Sequence, residues 1–376
     1  MRAEAFKLLG EQRIHLDDIE VGGRHFLHCL KSNRGNSRNK MKVAIYGYDT
    51  IVGKLVLEIL EEDPNFKIDE FYPLSPIAGE YDAVPLRGKN YLISHVDEFD
   101  FAQADVALFL TTKDESERLV PKAQAAGCIV IDDSHLYAGI KNCPLVLREV
   151  NPYVIKEVQE KRLACVPLAT SSEIVLSLAP LHDEYGIKQA VVTAMVSTSE
   201  HGELGTQTLA RETMQLLNGV GVDVTDFPAQ LAFNIHTRIG ELNEQGVSSH
   251  EQIILHEVST LMELSEHQLA LTCVQVPTFY GHTLSVHVEL EEDASLEDFK
   301  QALKQSSVLA LEEEQEEGLI SPVSCADLDS KLYIARIRKF GRAAFDFTVV
   351  MDNTRHGEAT AALDVLLLLQ KALGQN

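Results

Sequence analysis

Residues 161–181 (KRLACVPLATSSEIVLSLAPL) form the stretch of this chain that could most directly support covalent catalysis. The apolar run Leu163–Val166 predicts a short strand, Pro167 ends it, and apolar residues at helical spacing predict a helix from about Ser171 to Leu181. A strand that turns into a buried helix N-terminus presents free N–H groups, which lower the pKa of a thiol and stabilise an oxyanion. The turn itself, Leu168–Thr170, contains no cysteine.

Other side chains beside this turn offer alternative chemistry. Cys165 lies inside the strand and before Pro167, so its sulfur is not expected at the helix N-terminus. The hydroxyls of residues 170–172 could serve a hydrolase, but no Ser-His-Asp spacing is visible, and the order of residues does not reveal such triads. The spacing favours a capping box, in which Thr170 accepts from the amide of Glu173 and Glu173 accepts from the amide of Thr170.

A glycine-containing turn, GYDTIVG (47–53), is a second candidate site. It follows an apolar strand and opens an apolar-periodic helix, which is the context of a dinucleotide-binding turn. Thr50 stands where a middle glycine would let the backbone approach a pyrophosphate, so its side chain weakens binding or moves the phosphate outward. Any strand–helix unit needs a tight turn, so a purely structural role is an equal alternative. The candidate cofactor-binding residues are Gly47, Thr50, Ile51, Val52 and Gly53.

The pattern of apolar runs predicts two domains. From Lys42 short runs alternate with helical segments, which favours a Rossmann-like, doubly wound α/β domain with a parallel sheet. After Ala169 longer alternating strands predict an α+β domain with a mixed or antiparallel sheet. The predicted strands are 42–48, 66–72, 91–95, 105–110, 128–132, 189–199, 270–279, 283–290 and 343–351, and the helices are 51–60, 115–126, 206–217, 248–264 and 295–304.

Composition restricts the partners. The 33 Lys and Arg against 57 Asp and Glu give a net charge of −24, which argues against nucleic acid or an anionic membrane surface as a partner. No apolar run approaches the roughly 18 residues of a membrane helix. The six cysteines include no CxxC pair, so neither a zinc site nor a disulfide framework is indicated. Cys128, Cys165 and Cys273 are predicted to be small core residues, and a reducing cytoplasm is the expected location.

Residues 1–40 differ from the remainder in composition and end in the polar run KSNRGNSRNK. They contain no apolar segment suited to a secretory signal. We predict a flexible extension ahead of the first strand at Met41, with a functional basic tail as the alternative.

Five stretches resemble the aspartate-semialdehyde dehydrogenase family, and the likeness runs from about Met41 to the C-terminus. They are 161–181, VQVPTFYGHT (274–283), VIDDSHLY (130–137), REVNP (148–152) and MDNTRHG (351–357). The Gln-x-Pro-x-Phe-Tyr-Gly-His form is shared with the Usg-type paralogues. The resemblance implies a discontinuous first domain, 41–168 plus 355–376, onto which the final helix packs. It also implies a substrate and dimerisation domain at 169–354 and a homodimer.

The family reaction, part of amino-acid biosynthesis, requires a cysteine thiolate, a general acid/base and cations that hold a carboxylate and a phosphate, with NADP as the hydride acceptor. Aligned on Ala-Pro-Leu at 179–181, the cysteine position falls on Ala169. His282 occupies the acid/base position, although a histidine at a strand end more often serves as a structural hydrogen-bonding group. Gln275 replaces the arginine that binds the substrate carboxylate, and Glu173 replaces a glutamine.

Further family cations are also replaced. Ala138 stands at the phosphate-binding arginine, and Ile253 stands at the lysine of the substrate helix, where Glu251 keeps the adjacent acidic position. Pro76 stands at the arginine that pairs with the 2′-phosphate of NADP, and Glu80 stands at a lysine. Because a carboxylate opposes a dianionic 2′-phosphate, any dinucleotide bound is expected to be NAD rather than NADP.

These replacements predict a non-catalytic homologue that serves as a binding or assembly protein, as a homodimer or paired with a related dehydrogenase subunit. The alternative is an NAD(P)-dependent oxidoreductase that acts on an aldehyde or oxo group by direct hydride transfer. His282 would then donate the proton, and an uncharged or cationic substrate would suit Glu173 and Glu251. A hydrolase that uses a hydroxyl of 170–172 is the third hypothesis.

Overall fold

The computed structural model describes residues 40–79, 81–137, 143–265, 267–314, 319–325 and 331–374. The N-terminal extension predicted from the sequence, together with Glu80 and Ala138, lies outside these residues. Within the described ranges no helix is long and apolar enough to cross a membrane.

The first domain is built on a parallel sheet with the strand order β5-β2-β1-β6-β7-β8. Its central strands are buried on both faces, which explains their continuous apolar sequences. The strands of this sheet are β1 Met41–Tyr46, β2 Ile68–Ser75, β5 Ser94–His95, β6 Val106–Phe109, β7 Ile129–Asp132 and β8 Leu163–Cys165, and a separate hairpin is formed by β3 Ala83–Leu86 and β4 Lys89–Leu92. The helices of this part are α1 Ile51–Glu62, α2 Lys113–Ala125 and α3 Ile155–Lys161.

The second domain contains a mixed sheet with the order β10-β9-β11-β14-β13-β12. Two of its strand pairs are parallel, β9 with β10 and β12 with β13, and the remaining neighbours are antiparallel. The strands are β9 Ile187–Val196, β10 Leu269–Gln275, β11 His282–Leu290, β12 Leu309–Leu311, β13 Leu332–Phe340 and β14 Ala344–Met351. The helices are α4 Ala169–Tyr185, α5 Gly202–Leu217, α6 Ser249–Met262, α7 Leu296–Lys304 and α8 Pro322–Cys325.

One face of the mixed sheet carries α4, α6 and α7, whose apolar side chains share a core with the inward residues of the strands. Phe299 of α7 stacks on Phe345 of β14 with ring centroids 4.0 Å apart. On the other face β9 and β11 alternate, with Val191, Thr193 and His287 among the exposed positions. The final helix, α9 Thr360–Leu373, packs into the core of the parallel sheet against β7 and α3.

The predicted fold class is confirmed: a Rossmann-like parallel domain is followed by a domain with a mixed sheet. One predicted strand was wrong in detail: the single strand predicted at 91–95 is divided between β4 and β5, because β4 pairs with β3 in the hairpin and β5 pairs with β2. Helix α3 and strands β3, β12 and β13 were not predicted.

The prediction that no disulfide is present was also wrong. Cys143 and Cys165 are joined, and Cys165 is therefore not the free core thiol expected from its apolar surroundings. The pairing follows from the backbone: residues 144–146 run beside β8, with the Cys165 amide donating to Pro144 and the Val146 amide donating to Cys165. Sequence spacing gives no signal of this contact, because the two cysteines are 22 residues apart.

Candidate functional site

The glycine turn after β1 is held by its own side chains. Gly47 has φ of +88°, and a Cβ there would lie 2.1 Å from the carbonyl oxygen of Leu110. A Cβ on Gly53 would lie 2.0 Å from the carbonyl oxygen of Gly47, so both positions require glycine. Thr50 is the N-cap of α1: its Oγ1 accepts from the Gly53 amide at 3.0 Å and donates to the Gly47 carbonyl at 2.7 Å. One amide that a phosphate could use is therefore already occupied.

A cleft of about 460 Å³ opens between the two domains in front of this turn. Thr50, Ile51 and Val52 line one side, whereas Gly47 and Gly53 shape the turn from behind. The other walls come from the ends of β6 and β7, from the segment after β9 and from the segment that precedes α9. These residues are Leu110, Thr111, Thr112, Asp133, Ser134, His135, Ser199, Glu200, His201, Gly202, Glu203, Thr354 and Glu358. This is the crevice at the carboxyl ends of parallel strands where such folds bind ligands.

His282 is fully buried at the start of β11 and has hydrogen bonds at both ring nitrogens. Its Nδ1 lies 3.2 Å from the Ser197 amide nitrogen, which can only donate, so Nδ1 accepts and Nε2 carries the proton. Nε2 donates to Glu200 Oε2 at 3.0 Å. The predicted acid/base residue therefore reaches the cleft only through Glu200.

Glu200 is the charged centre of this network. Burial raises its pKa, but the hydrogen bond from His282 and the neighbouring imidazoles of His250 and His135 outweigh that and lower the pKa to about 2. The pKa of His135 is lowered by burial to about 4, and burial also lowers the pKa of His250. At neutral pH an ionised carboxylate therefore faces two neutral imidazoles.

The position predicted to correspond to the family nucleophile is buried and closed to the cleft. Ala169 is the first residue of α4, is 1% exposed and is not among the residues that line the cleft. Its methyl group packs against the backbone of Gly357, where an added Cβ would lie 2.3 Å from the Ala169 Cβ. Gly357 belongs to a π-helical segment, Asn353–Ala359, a geometry often found at functional sites.

The predicted capping box at Thr170 and Glu173 is wrong. Helix α4 begins at Ala169, its N-cap is Leu168, and no local side chain caps it. The Leu168 amide instead donates to Glu257 Oε2 of α6 at 2.9 Å. The carboxyl group of Glu257, on α6, therefore takes the place of a local N-cap side chain at α4.

Glu257, which sequence reasoning did not identify, lies at the N-terminus where a nucleophile would be activated. It is fully buried, and burial raises the pKa of its carboxyl to about 7, against opposing interactions with Ser171 and the Leu168 amide. Around it the Oγ1 of Thr170, the Oγ of Ser172 and both carboxyl oxygens of Glu173 have no hydrogen-bond partner in the described parts of the chain. Burial raises the pKa of Glu173 well above its usual value, so this side chain is a neutral acid in the core.

The positions predicted to have lost substrate-binding cations are structurally occupied. Gln275 is 2% exposed; its Nε2 donates to the Val196 carbonyl at 2.7 Å, and its Oε1 accepts from His201 Nε2 at 2.9 Å. Glu251 forms a capping box with Ser248, and its Oε1 accepts from the Cys273 amide at 2.8 Å. Ile253 packs beside the core of the second domain.

No free cysteine of the described residues substitutes for the missing thiol. Cys128, Cys273 and Cys325 are buried, and burial raises the pKa of each thiol, to about 12 for Cys128 and Cys325. A thiol with a raised pKa is a poor nucleophile because the thiolate is the reactive form. Cys165 is sealed in its disulfide.

The site contains residues that sequence reasoning missed: Asp133, Glu200, His250, Glu257 and Glu358. Asp133 immediately follows β7, and Glu200 follows β9, so the rule that ligands bind beyond strand carboxyl ends could have identified the first. Glu358 lines the cleft from the π-helical segment, whereas His250 and Glu257 lie on α6 behind it, beside Glu200 and the Leu168 amide. These positions depend on tertiary packing, for which the sequence has no local signal.

The parallel domain with its glycine turn, the mixed-sheet domain and the cleft between them define the class: a two-domain protein on a nicotinamide-dinucleotide dehydrogenase fold. Residues 42–158 match the model of the semialdehyde dehydrogenase NAD-binding domain, and residues 178–356 match that of the semialdehyde dehydrogenase dimerisation domain. The chain belongs to the semialdehyde dehydrogenase family, as the motifs predicted.

Relatives span almost the whole domain pair. The aspartate-semialdehyde dehydrogenase of Shewanella violacea is 30% identical over 332 residues, covering 88% of this chain and 98% of that protein. A USG-1 protein homolog of Azotobacter vinelandii is 30% identical over 338 residues, covering 88% and 97%. The crystal structure of aspartate semialdehyde dehydrogenase II from Vibrio cholerae superposes with a TM-score of 0.82 at 30% identity, covering 88% of this chain and 99% of that one.

Proposed function

We propose that this chain is a semialdehyde dehydrogenase homologue without the thiol-dependent activity of its family, and that it serves as a binding or assembly protein on the retained fold. One observation carries the proposal: the N-terminus of α4 holds Ala169, packed against Gly357, and its leading amide is bound by Glu257. The acyl-enzyme step requires a thiolate at this place.

The other side chains predicted to belong to the catalytic site support the same proposal. Gln275 is engaged by His201 and the Val196 carbonyl, and Glu251 by the amides of Ser248 and Cys273, so neither side chain is free to contact a substrate. His282 donates to Glu200, a partner that would compete with substrate for its proton. Loss of a nucleophile leaves at most a residual of order 10³–10⁴ over the uncatalysed rate.

The test is phosphate-dependent reduction of NADP, or of NAD, by the purified chain with aspartate semialdehyde, followed at 340 nm. We expect no rate above that of a His282→Ala control. A rate well above this control would overturn the proposal, because it would show that the site still performs hydride transfer.

The assembly part of the proposal is self-association through the second domain. It is supported by the match to a dimerisation domain and by exposed apolar side chains on α5 and in the segment after it, including Met214, Leu217, Phe233 and Ile235. Sedimentation equilibrium is expected to give a dimer. A monomer that becomes dimeric only when mixed with a catalytic relative would instead support pairing with a dehydrogenase subunit.

A second function, NAD(P)-dependent hydride transfer without a thiol, is favoured by one observation. The glycine turn and Glu200 face the same cleft, so a dinucleotide and the Glu200–His282 pair would share one space. Titration with NAD(H) and NADP(H) tests it: tight binding of either, with NAD preferred, supports it, and the absence of any binding removes it.

A further inference from the structure

The walls of the cleft carry four acidic side chains, three of which have no lysine or arginine partner among the described ion pairs. Asp133, Glu200, Glu203 and Glu358 line it, and no lysine or arginine of the described ranges is among the lining residues. Glu203 has a partner, since Lys54 Nζ lies 3.3 Å from its Oε1. Burial and mutual repulsion raise the pKa of Asp133 and of Glu358 well above the usual range. These carboxyls are therefore placed together without the positive charge that would compensate them.

Unpaired buried polar atoms lie at the same place. Asp133 Oδ1, His135 Nδ1 and His250 Nε2 are buried and have no hydrogen-bond partner in the part of the chain that the structure describes. His250 is 9% exposed, and its Nε2 points at Glu200 Oε1 across 3.8 Å, which is too far for a hydrogen bond. Buried polar atoms are normally satisfied by protein, water or a ligand, so this cluster indicates an additional donor.

The chemistry of these atoms defines the donor. The carboxylate oxygens of Asp133, Glu200 and Glu358 accept hydrogen bonds and carry negative charge when ionised, and the described residues hold no group of three or more side chains arranged for a metal ion. An ammonium group supplies three N–H donors and one positive charge at a single point. A carboxylate ligand would meet only repulsion from Glu200.

We propose that the cleft binds a small organic amine whose ammonium group lies between Asp133, Glu200 and Glu358. The inference rests on the proposed function, because it takes the cleft to be a binding site that no longer serves the family reaction. It names the class of ligand that a binding protein on this fold would take.

Calorimetric titration of the full chain with four probes tests the chemistry. We expect n-butylamine and 1,4-diaminobutane to bind, and 1-butanol and butyrate to give no heat of binding under the same conditions. The proposal is overturned if neither amine binds at about 50 mM, weaker than any useful recognition. It is also overturned if 1-butanol binds as well as n-butylamine, which would indicate an apolar pocket.

Paired variants locate the site. Glu358→Gln and Asp133→Asn are each expected to weaken n-butylamine binding at least about tenfold, the effect of losing roughly 1.4 kcal/mol. Glu289→Gln removes the same charge from a carboxylate outside the cleft that already has Lys188 as a partner, and it is expected to change binding less than about twofold. Equal effects of Glu358→Gln and Glu289→Gln would contradict the placement.

Two controls separate the possible failures. Thermal melts of Glu358→Gln and Asp133→Asn establish that these variants are folded. Glu358→Gln is expected to melt no lower than the parent, because it removes a poorly compensated carboxyl. The dehydrogenase assay is independent of amine binding. Turnover of aspartate semialdehyde would contradict the proposed function. No turnover together with no amine binding would contradict only the amine-binding inference.

Discussion

Two helix N-termini in the second domain share one sequence pattern and have opposite structures. Thr170-Ser-Ser-Glu173 and Ser248-Ser-His-Glu251 both have the spacing of a capping box. At Ser248 the box forms: Glu251 accepts from the Ser248 amide at 2.8 Å and Ser248 accepts from the Glu251 amide at 3.3 Å. At Thr170 it does not form, and the polar atoms of Thr170 and Glu173 are left without partners among the described residues.

The difference comes from where each helix starts. Helix α4 begins at Ala169, so Thr170 is already inside the helix and cannot act as its N-cap. The carboxylate of Glu257 takes the Leu168 amide and so removes the need for a local cap. A buried helix end whose polar side chains do not cap it breaks a local sequence rule, and such exceptions are expected at functional sites, which supports the proposal that this end once held a nucleophile.

The largest expected effect is at the N-terminus of α6, where the capping box is formed. Glu251→Ala leaves the buried amides of Ser248 and Cys273 without their acceptor, and we expect a loss of about 3 kcal/mol in the free energy of unfolding. Urea denaturation measures it. Gln252→Ala, at an exposed neighbouring position of α6, is the matched control and is expected to cost less than about 0.5 kcal/mol. Similar losses of unfolding free energy in Glu251→Ala and Gln252→Ala would show that the capping box does not stabilise the N-terminus of α6.

Glu257→Gln tests the substitute cap through pH. The folded pKa of Glu257, about 7, lies above its ordinary value of 4.5, so the folded state binds this proton more tightly than the unfolded state. Its contribution is therefore favourable below about pH 4.5 and is lost as the pH rises through 7. Since glutamine keeps the acceptor for Leu168 and does not titrate, we expect the variant to be more stable than the parent by roughly 2 kcal/mol at pH 8 and to lose this advantage by pH 5. A constant difference across this range would contradict the assignment.

Glu173→Leu tests the N-terminus of α4, where the capping box is not formed. The side chain is fully buried and its two oxygens lack partners in the described ranges, so replacement by an apolar group is expected to raise the free energy of unfolding by about 1–2 kcal/mol. Glu173→Gln, which keeps a polar group of the same size, is the control and is expected to have little effect. Destabilisation by the leucine alone would indicate a partner that the present contacts do not include.

The smallest expected change in stability is at Thr170, whose hydroxyl is compared with that of Ser248. Thr170→Val keeps the volume of the side chain and removes only the hydroxyl, so we expect a change within about 0.5 kcal/mol because no cap is lost. Ser248→Ala is expected to cost about 1 kcal/mol because it removes a formed cap. Equal costs would show that both ends are capped alike.

The sequence was a good guide where local patterns decide the structure. The parallel sheet and the glycine turn followed from periodicity and from glycine positions. It failed where the partner comes from a distant segment: Glu257 at the amide of Leu168, and Cys143 at Cys165. A capping motif states only what a side chain can do locally, and tertiary contacts decide whether it does so.

The central claim is that the nucleophile's surroundings have changed together with the nucleophile, and Ala169→Cys tests it most directly. Phosphate-dependent NADP reduction with aspartate semialdehyde is measured for this variant and for its double mutant with His282→Ala. Since Glu257 holds the leading amide of α4, and Gln275 and Glu251 are engaged elsewhere, we predict that the new cysteine restores no turnover above the double mutant. Turnover that depends on His282 would contradict the account, because it would mean that a single missing thiol had been the only loss.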